Sequence, residues 1–551
     1  MCGLAGWATT AAAPDAHGLA AMAQALAHRN DGESLSAVID RQPRRAVVIA
    51  ASISEHQISV ALDGSIVNGA DLRGQLTKRG YPFKTKTDAE LVLRAYQHWD
   101  KEAVKYLRGA FAFAIWDGAK ERLMLARDRF GQKPLYLHQA GGALSFASEI
   151  KALVRAPGVK VEIDTAAVSE YLAQRYVRGP RTLVAGVRKL SPGTYGLWQF
   201  GALRETRYWS PPDGEAPIAR GPANPVDGFI QRLDEAVQLH MQAPKLGVLL
   251  SGGYDSAAIV ALARSHHEYV TTFSAGFVDD KHSELAAASK VAKHFGTQHH
   301  EVLLQRRDVL AQLPSLVASR DAPVSRPADV ALHLLAREAA RKVRVALSGD
   351  GGDEILGGYR RHTFLRGFAP SAKRVNGLFV IPVPDPRLPV AEGRASALRN
   401  ILYYEQTGWL ADNLLERSDR MTAAASLELR MPFLDHRVAE YVSALPDSAR
   451  VRGLSTKWIL RQADRRLIGQ IGVDAGVKPR KAGFRIPVGD LMREPGVLDP
   501  LRGTESLTRA YYDDKVLDRL LDEQMSGKRN HEETLWTLLN LEIWSRTYRQ
   551  S

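Results

Sequence analysis

The chain has 551 residues, of which 45% are hydrophobic and 25% charged; with no run of about 18 apolar residues it reads as two to four globular domains and no membrane helix. Its single cysteine excludes internal disulfides and any multi-cysteine zinc site, and MCGLAGWATTAAAP lacks the basic segment of a signal peptide, so the cytoplasm is the expected compartment. The formal net charge of +13 comes from scattered residues (Arg44, Arg45, Arg360, Arg361, Lys373, Arg374, Arg480, Lys481) rather than a run interleaved with aromatics, which argues for an Arg-rich solvated surface and against nucleic-acid binding.

Residues 1–200 are rich in short strand patterns: AVVIAAS (46–52), ISVALDG (58–64), GAFAFAIWD (109–117) and RLMLARD (122–128). Helical patterns at about 15–28 and 88–99 intervene, so an α+β layered domain is expected over 1–205. The Pro/Gly/Ala-rich stretch 209–226 carries little periodicity, and the linker is drawn over 206–226. A helix at about 227–242 then precedes the apolar strand LGVLLS (246–251). Further strands are expected at 269–277, near 299–304 and at 343–349, with a helix at about 283–295. Strand–helix alternation predicts an α/β domain over 227–551, built on a parallel sheet with a mainly helical part beyond about 395.

LGVLLSGGYDSAAIVALAR is an apolar strand, a glycine turn and a helix. Backbone N–H groups in such a turn can approach a phosphate at the positive end of the helix. Gly252 and Gly253 present no Cβ to obstruct it, and Asp255 stands where it can hold Mg2+ against the phosphates. No GK[ST] follows, so this is not a Walker A loop. The pattern resembles the pyrophosphate-releasing loop of N-type ATP pyrophosphatases. LSGDGGDEILGGYRRH (347–362) follows another strand and gathers Asp350, Asp353 and Glu354 among glycines, as Mg2+ binding or proton handling would need.

SGGYDS, SGDGGDE with GGY two residues on, DRMTAAASLELRMPFLDHR (419–437) and TKWILRQA (456–463) together resemble the asparagine synthetase B family. MCGLAGW, DGSIVN (63–68), TDAE (87–90), GAFAFAIWD, ARDRFGQKPLY (126–136) and FASEIKAL (146–153) extend the resemblance over essentially the whole chain. The resemblance implies a glutaminase domain of the N-terminal-nucleophile type joined to an ATP-dependent synthetase domain. In such enzymes ATP adenylates a carboxylate, pyrophosphate leaves, and ammonia released from glutamine displaces AMP. By motif position Ser251, Gly252, Gly253, Asp255 and Ser256 would hold pyrophosphate and Mg2+, and Leu249, Ala275, Ser348 and Gly349 would line the nucleotide site. Asp350 would serve the acyl-adenylate step, Asp353 would join Asp255 on the metal, and Lys457 would neutralise developing charge. Cys2, exposed as the N-terminal residue once Met1 is removed, would be the glutaminase nucleophile, with its own α-amine as base. A small-molecule or peptide carboxylate is the expected substrate, glutamine a second one if the glutaminase works, and a homodimer a further expectation.

Three departures bear on the nitrogen supply. The strand that should carry an Arg to clamp the glutamine carboxylate reads IAASIS (49–54), with Arg45 as a substitute if the register is offset. The family's NGE triplet reads Asp63-Gly64-Ser65: the Asn that donates to the oxyanion is replaced by Asp63, and the Glu that helps bind the glutamine amine by Ser65, while Asp88, which shares that job, is retained. Losing one oxyanion donor typically costs roughly 100- to 1000-fold. On the acceptor side, RDAPVSRPADV (320–330) has Ala322 and Arg326 where the family carries carboxylates. Two readings stay open: a glutamine-dependent amidotransferase making asparagine or another primary amide, or a synthetase whose amine belongs to the substrate, similar to lasso-peptide cyclases and β-lactam synthetases. The second is slightly favoured.

Overall fold

A computed structural model describes residues 3–10, 16–29, 36–42, 45–212, 224–277, 284–364, 377–382, 396–469, 488–503 and 505–549. Twelve strands build the amino half: β1 (Ala5–Thr9), β2 (Ser36–Gln42), β3 (Arg45–Ala51), β4 (Ile53–Glu55), β5 (Ile58–Ile66), β6 (Gly109–Asp117), β7 (Arg122–Arg127), β8 (Tyr136–Ala140), β9 (Ala143–Ala147), β10 (Val187–Lys189), β11 (Thr194–Gln199) and β12 (Ala202–Arg207). They form two six-stranded sheets, β10-β8-β9-β1-β3-β2 and β12-β11-β7-β6-β5-β4, whose pairings are antiparallel. The segment 49–54 therefore does not run as one strand: Ala51 ends β3 in one sheet and Ile53 opens β4 in the other.

Side-chain alternation explains why GAFAFAIWD is apolar throughout. Phe111, Phe113 and Ile115 pack with Leu91, Val92 and Ala95 of the helix Asp88–Trp99. Ala112, Ala114 and Trp116 face the other sheet, meeting Leu4, Ile49 and Phe146. A strand buried on both faces cannot alternate with polar residues. Each fully buried large side chain of this kind contributes about 1.5–3 kcal/mol. The same period sends Val60 and Leu62 of β5 to the helices and Ala61 to the inter-sheet core. It directs Asp63 to the inter-sheet face as well, at zero exposure.

The carboxyl half holds a five-stranded parallel sheet ordered β15-β14-β13-β16-β17, with β13 (Leu246–Leu249), β14 (Thr271–Phe277), β15 (Gln298–Leu304), β16 (Val345–Leu347) and β17 (Glu428–Arg430). Helices Pro225–His240, Tyr254–His266 and Trp458–Leu467 share one apolar core with it. The chain leaves β13 towards β14 and β15, then returns across the sheet to β16 on the other flank. Strand order thus reverses beside β13, and a crevice opens at the carboxyl ends of β13 and β16, where ligands of open α/β sheets bind. The last strand of the amino half runs to Arg207, and the helix of the carboxyl half starts at Pro225, inside the stretch drawn as linker. No helix among the described residues is long and apolar enough to cross a membrane.

Candidate active site

The crevice brings SGGYDS and SGDGGDE face to face. Gly253 caps the helix Tyr254–His266, and Gly252 turns the chain at φ +73°, a conformation a side chain would strain. Ser256 Oγ accepts from Ser251 N at 3.1 Å, which ties the loop into a tight arch. A Cβ on Gly349 would stand 2.6 Å from Asp255 Cβ, so the two loops close only because that position is glycine. Ser348 Oγ accepts from Asp350 N at 3.2 Å, and Asp350 Oδ2 accepts from Ser418 Oγ at 3.1 Å. Leu249 ends β13 and Ala275 lies in β14 alongside.

Lys457 joins the two loops. It caps the helix Trp458–Leu467 in the left-handed region (φ +50°), and its side chain is almost wholly buried. Its Nζ lies 2.6 Å from both carboxylate oxygens of Asp255 and 2.6 Å from Asp353 Oδ1. One ammonium thus bridges the carboxylates that two separate motifs supply. A Cβ on Gly358 would come within 1.9 Å of Asp353 Oδ1 and 2.1 Å of Lys457 Cε, so this glycine makes room for the bridge. A glycine turn at the start of a helix, beside two carboxylates and an ammonium, matches a polyphosphate with Mg2+, which takes one or two carboxylates and fills its shell from phosphate and water.

Three further groups surround this site, of which only Asp464 lies outside the motifs read from the sequence. Glu354 is buried, accepts a hydrogen bond from the Tyr359 hydroxyl, and is pushed up to about 7 by burial and by Asp353. Asp464 on the Lys457 helix is 2% exposed, and neither of its oxygens receives a hydrogen bond. Burial first, and Asp255 second, hold its carboxyl well above the usual range. Asp464 carries no pattern of its own in the sequence, whereas Glu354 lies inside SGDGGDE and Tyr359 closes the GGY that follows it.

The second cluster surrounds β5. Cys2 lies outside the described residues. Asp63 Oδ2 accepts from Ser148 Oγ at 2.8 Å and lies 3.7 Å from Arg29 Nε; Oδ1 receives no hydrogen bond and lies 3.9 Å from Lys133 Nζ. Gly64 adopts φ +117° within the unbroken β5–β6 register, where a Cβ would overlap Ala110 O. Ser65 Oγ donates to Glu428 Oε1 of the carboxyl half at 2.8 Å. Glu428 is itself held by Arg430 Nε at 2.7 Å and brought down to about 2, burial opposing and Arg430 and Lys133 prevailing. Asp88 opens a helix that Thr87 caps, accepts from Ile66 N at 2.9 Å, and is raised by burial. Asp63 and Ser65 stand on β5 and Asp88 binds the next residue, Ile66, which is the grouping the family resemblance implies. Glu428, which reaches Ser65 across 363 residues of chain, is legible in the sequence only as part of SLELR.

Asp63 belongs to a buried seam between the halves. Asp63, Glu149, Arg29, Lys133 and Lys151 from the amino half meet Asp321, Asp419 and Arg420 from the carboxyl half, four carboxylates against four cations. Asp419 takes both Arg29 Nη1 and Lys133 Nζ at 2.9 Å, and Glu149 Oε1 lies 2.5 Å from Arg420 Nη1. On the acceptor side, Ala322 is half-buried beside Asp321, and Arg326 is exposed, its guanidinium 5.5 Å from the Trp409 ring centroid.

The family model described as asparagine synthase matches residues 228–546, and that of the glutamine amidotransferase domain matches 1–209. A putative glutamine-hydrolysing asparagine synthetase of Mycobacterium tuberculosis (strain ATCC 25618 / H37Rv) is 34% identical over 550 residues, covering 88% of this chain and 84% of that one. Glutamine-hydrolysing asparagine synthetase 1 of Bacillus subtilis (strain 168) is 30% identical over 543 residues, covering 88% and 85%. Asparagine synthetase 3 of the same strain is 31% identical over 477 residues, covering 78% and 76%. With two family models in sequence and relatives of this kind along most of its length, the chain belongs to the asparagine synthase family.

Proposed function

We propose that this carbon–nitrogen ligase adenylates a carboxylate at the crevice of its carboxyl half and couples it to an amine that the substrate itself carries. The observation that carries the first step is the Lys457 bridge. Ser251, Gly252, Gly253 and Ser256 would cradle the β- and γ-phosphates of ATP, with Leu249, Ala275, Ser348 and Gly349 along the nucleotide. Asp255 and Asp353 would hold Mg2+, which supplies charge neutralisation on the phosphates when bound. Lys457, already poised between the carboxylates, turns its ammonium to the charge that accumulates as pyrophosphate departs. Asp350, hydrogen-bonded through Ser418, orients the acyl-adenylate, and Glu354 with its raised pKa can take a proton from the incoming ammonium or amine near neutrality.

The second step rests on β5. A carboxylate at Asp63 accepts hydrogen bonds and cannot donate one to an oxyanion, and its neighbours tie it into the seam rather than leave it facing a substrate. The Ser65 hydroxyl is spent on Glu428. These features support a glutaminase half kept as a scaffold, and hence a macrolactam-forming or similar cyclisation. A glutamine-hydrolysing asparagine synthetase is the other reading. It is favoured by Glu428 and Asp88, which could hold a glutamine ammonium between them.

The test incubates the purified protein with ATP and Mg2+, with aspartate and either glutamine or ammonium, and separately with a peptide bearing an acidic side chain and a free N-terminus. Pyrophosphate, AMP, glutamate and product masses are followed. The proposal expects no glutamate, and loss of one water from the peptide. Asparagine formed from glutamine, abolished by Cys2→Ala, would establish the other reading.

A further inference from the structure

A cleft of about 310 Å³ opens between the two halves, and none of its lining residues belongs to the SGGYDS or SGDGGDE loops. Four guanidinium-bearing residues line it: Arg127, Arg129, Arg178 and Arg207. Arg127 donates to the carbonyls of Lys133, Leu190 and Gly131, and Arg129 to those of Leu107 and Lys105. Arg178 lies 4.1 Å over the Tyr404 ring and donates to Thr407 Oγ1 at 3.4 Å. Arg207 stands exposed at the end of edge strand β12. Arg127 is buried, has each guanidinium nitrogen committed to a carbonyl and lies beside the Asp128 carboxylate, so it braces the wall. The partners of Arg129 and Arg178 are neutral oxygens and a ring, which orient a guanidinium without cancelling its charge.

The one carboxylate among the lining residues is Asp412, and it is already engaged. It accepts from Gly179 N at 2.8 Å and lies 3.3 Å from Lys189 Nζ. Lys189, also in the wall, is matched besides by Glu416 at 2.8 Å. Once these pairs cancel, the cleft keeps, among the described residues, the charge of Arg129, Arg178 and Arg207. Bringing like charges together around one concavity is unfavourable, and a compact multivalent anion relieves it. Trp209 and Tyr403 add flat aromatic walls, and the volume lies at the lower end of that of small-molecule sites.

We infer that this cleft binds a phosphate-bearing small molecule of nucleotide type, its phosphates on the arginines and its base against Trp209 or Tyr403. The site lies apart from the phosphate loop but within reach of it: Gln406, in the cleft wall, donates to the main-chain oxygen of Glu354 at 3.0 Å.

Equilibrium dialysis of the full chain against radiolabelled ATP with Mg2+ tests this. Two nucleotides per chain are expected in the wild type, and one in Arg178→Ala/Arg207→Ala, with ATP–pyrophosphate exchange kept within twofold. Arg207→Glu alone, on an exposed edge-strand side chain, should weaken the second site at least fivefold and spare folding. A single site that disappears in the double variant would keep this inference and sink ATP use at the phosphate loop instead. A single site untouched by either variant would overturn it. Citrate displacing the second nucleotide as well as ADP does would also overturn it, assigning the cleft to polycarboxylates.

Discussion

Lys457 adopts a left-handed backbone conformation that costs a non-glycine residue of order 1–3 kcal/mol, and the ion bridge to Asp255 and Asp353 fixes it there. Replacing it should therefore separate stability from activity. In Lys457→Gly the strain eases, because glycine alone has no Cβ to oppose this conformation, while two carboxylates lose their counter-ion, so the melting temperature changes little. ATP–pyrophosphate exchange should fall about 100- to 1000-fold, the usual consequence of removing one charge aimed at a developing anion. An unchanged exchange rate would remove Lys457 from the chemistry. Asp63 makes the opposite case. Asp63→Asn keeps the shape but takes a carboxylate from between Arg29 and Lys133, so urea unfolding should show a loss of about 1.5–3 kcal/mol. On the scaffold reading, glutaminase activity stays at background in that variant, because Ser65 remains committed to Glu428.

The loops that end β13 and β16 are packed so closely that a glycine there tolerates far less than one on an exposed helix. Gly358→Ala would push Asp353 and Lys457 apart and should abolish pyrophosphate exchange while circular dichroism stays native. Gly74, exposed in the helix Gly69–Lys78, would give an added methyl no neighbour within 4 Å, and Gly74→Ala should raise stability by about 0.5–1 kcal/mol in thermal melts. The contrast follows what each position shows in the sequence. SGGYDS is readable because strand, turn and helix are consecutive and the glycines encode a local backbone demand. That its carboxylate meets Asp353 through Lys457 is accessible only by family resemblance, since the three come from segments about 100 residues apart. GAFAFAIWD reads as a strand but not as one buried on both faces. Asp464 and Glu428 are silent, because a carboxylate's burial depends on long-range packing that no local pattern records.

At the scale of the whole molecule, charges buried between elements set the pH response. Burial holds His240, at the end of the helix Pro225–His240, down to about 4 from 6.5, and His436 beside Asp435 to about 3. Between pH 6.5 and 4 the unfolded chain binds protons that the folded chain refuses. Stability is thus complete above pH 6.5 and lost as pH falls toward 4, by up to about 3 kcal/mol for His240 alone. Urea midpoints measured across that range should decline, and His240→Gln should flatten the decline; a parallel curve would assign the acid response elsewhere. The seam of four carboxylates and four cations acts on another timescale altogether, that of gene shuffling. Asp63 sits in one half and Asp419 with Arg420 in the other, so the two halves carry matched parts of one lock. A hybrid gene joining this amino half to a relative's carboxyl half would inherit a mismatched lock. Such a constraint binds the two domains into one heritable unit, and it persists even if the amino half has stopped supplying nitrogen.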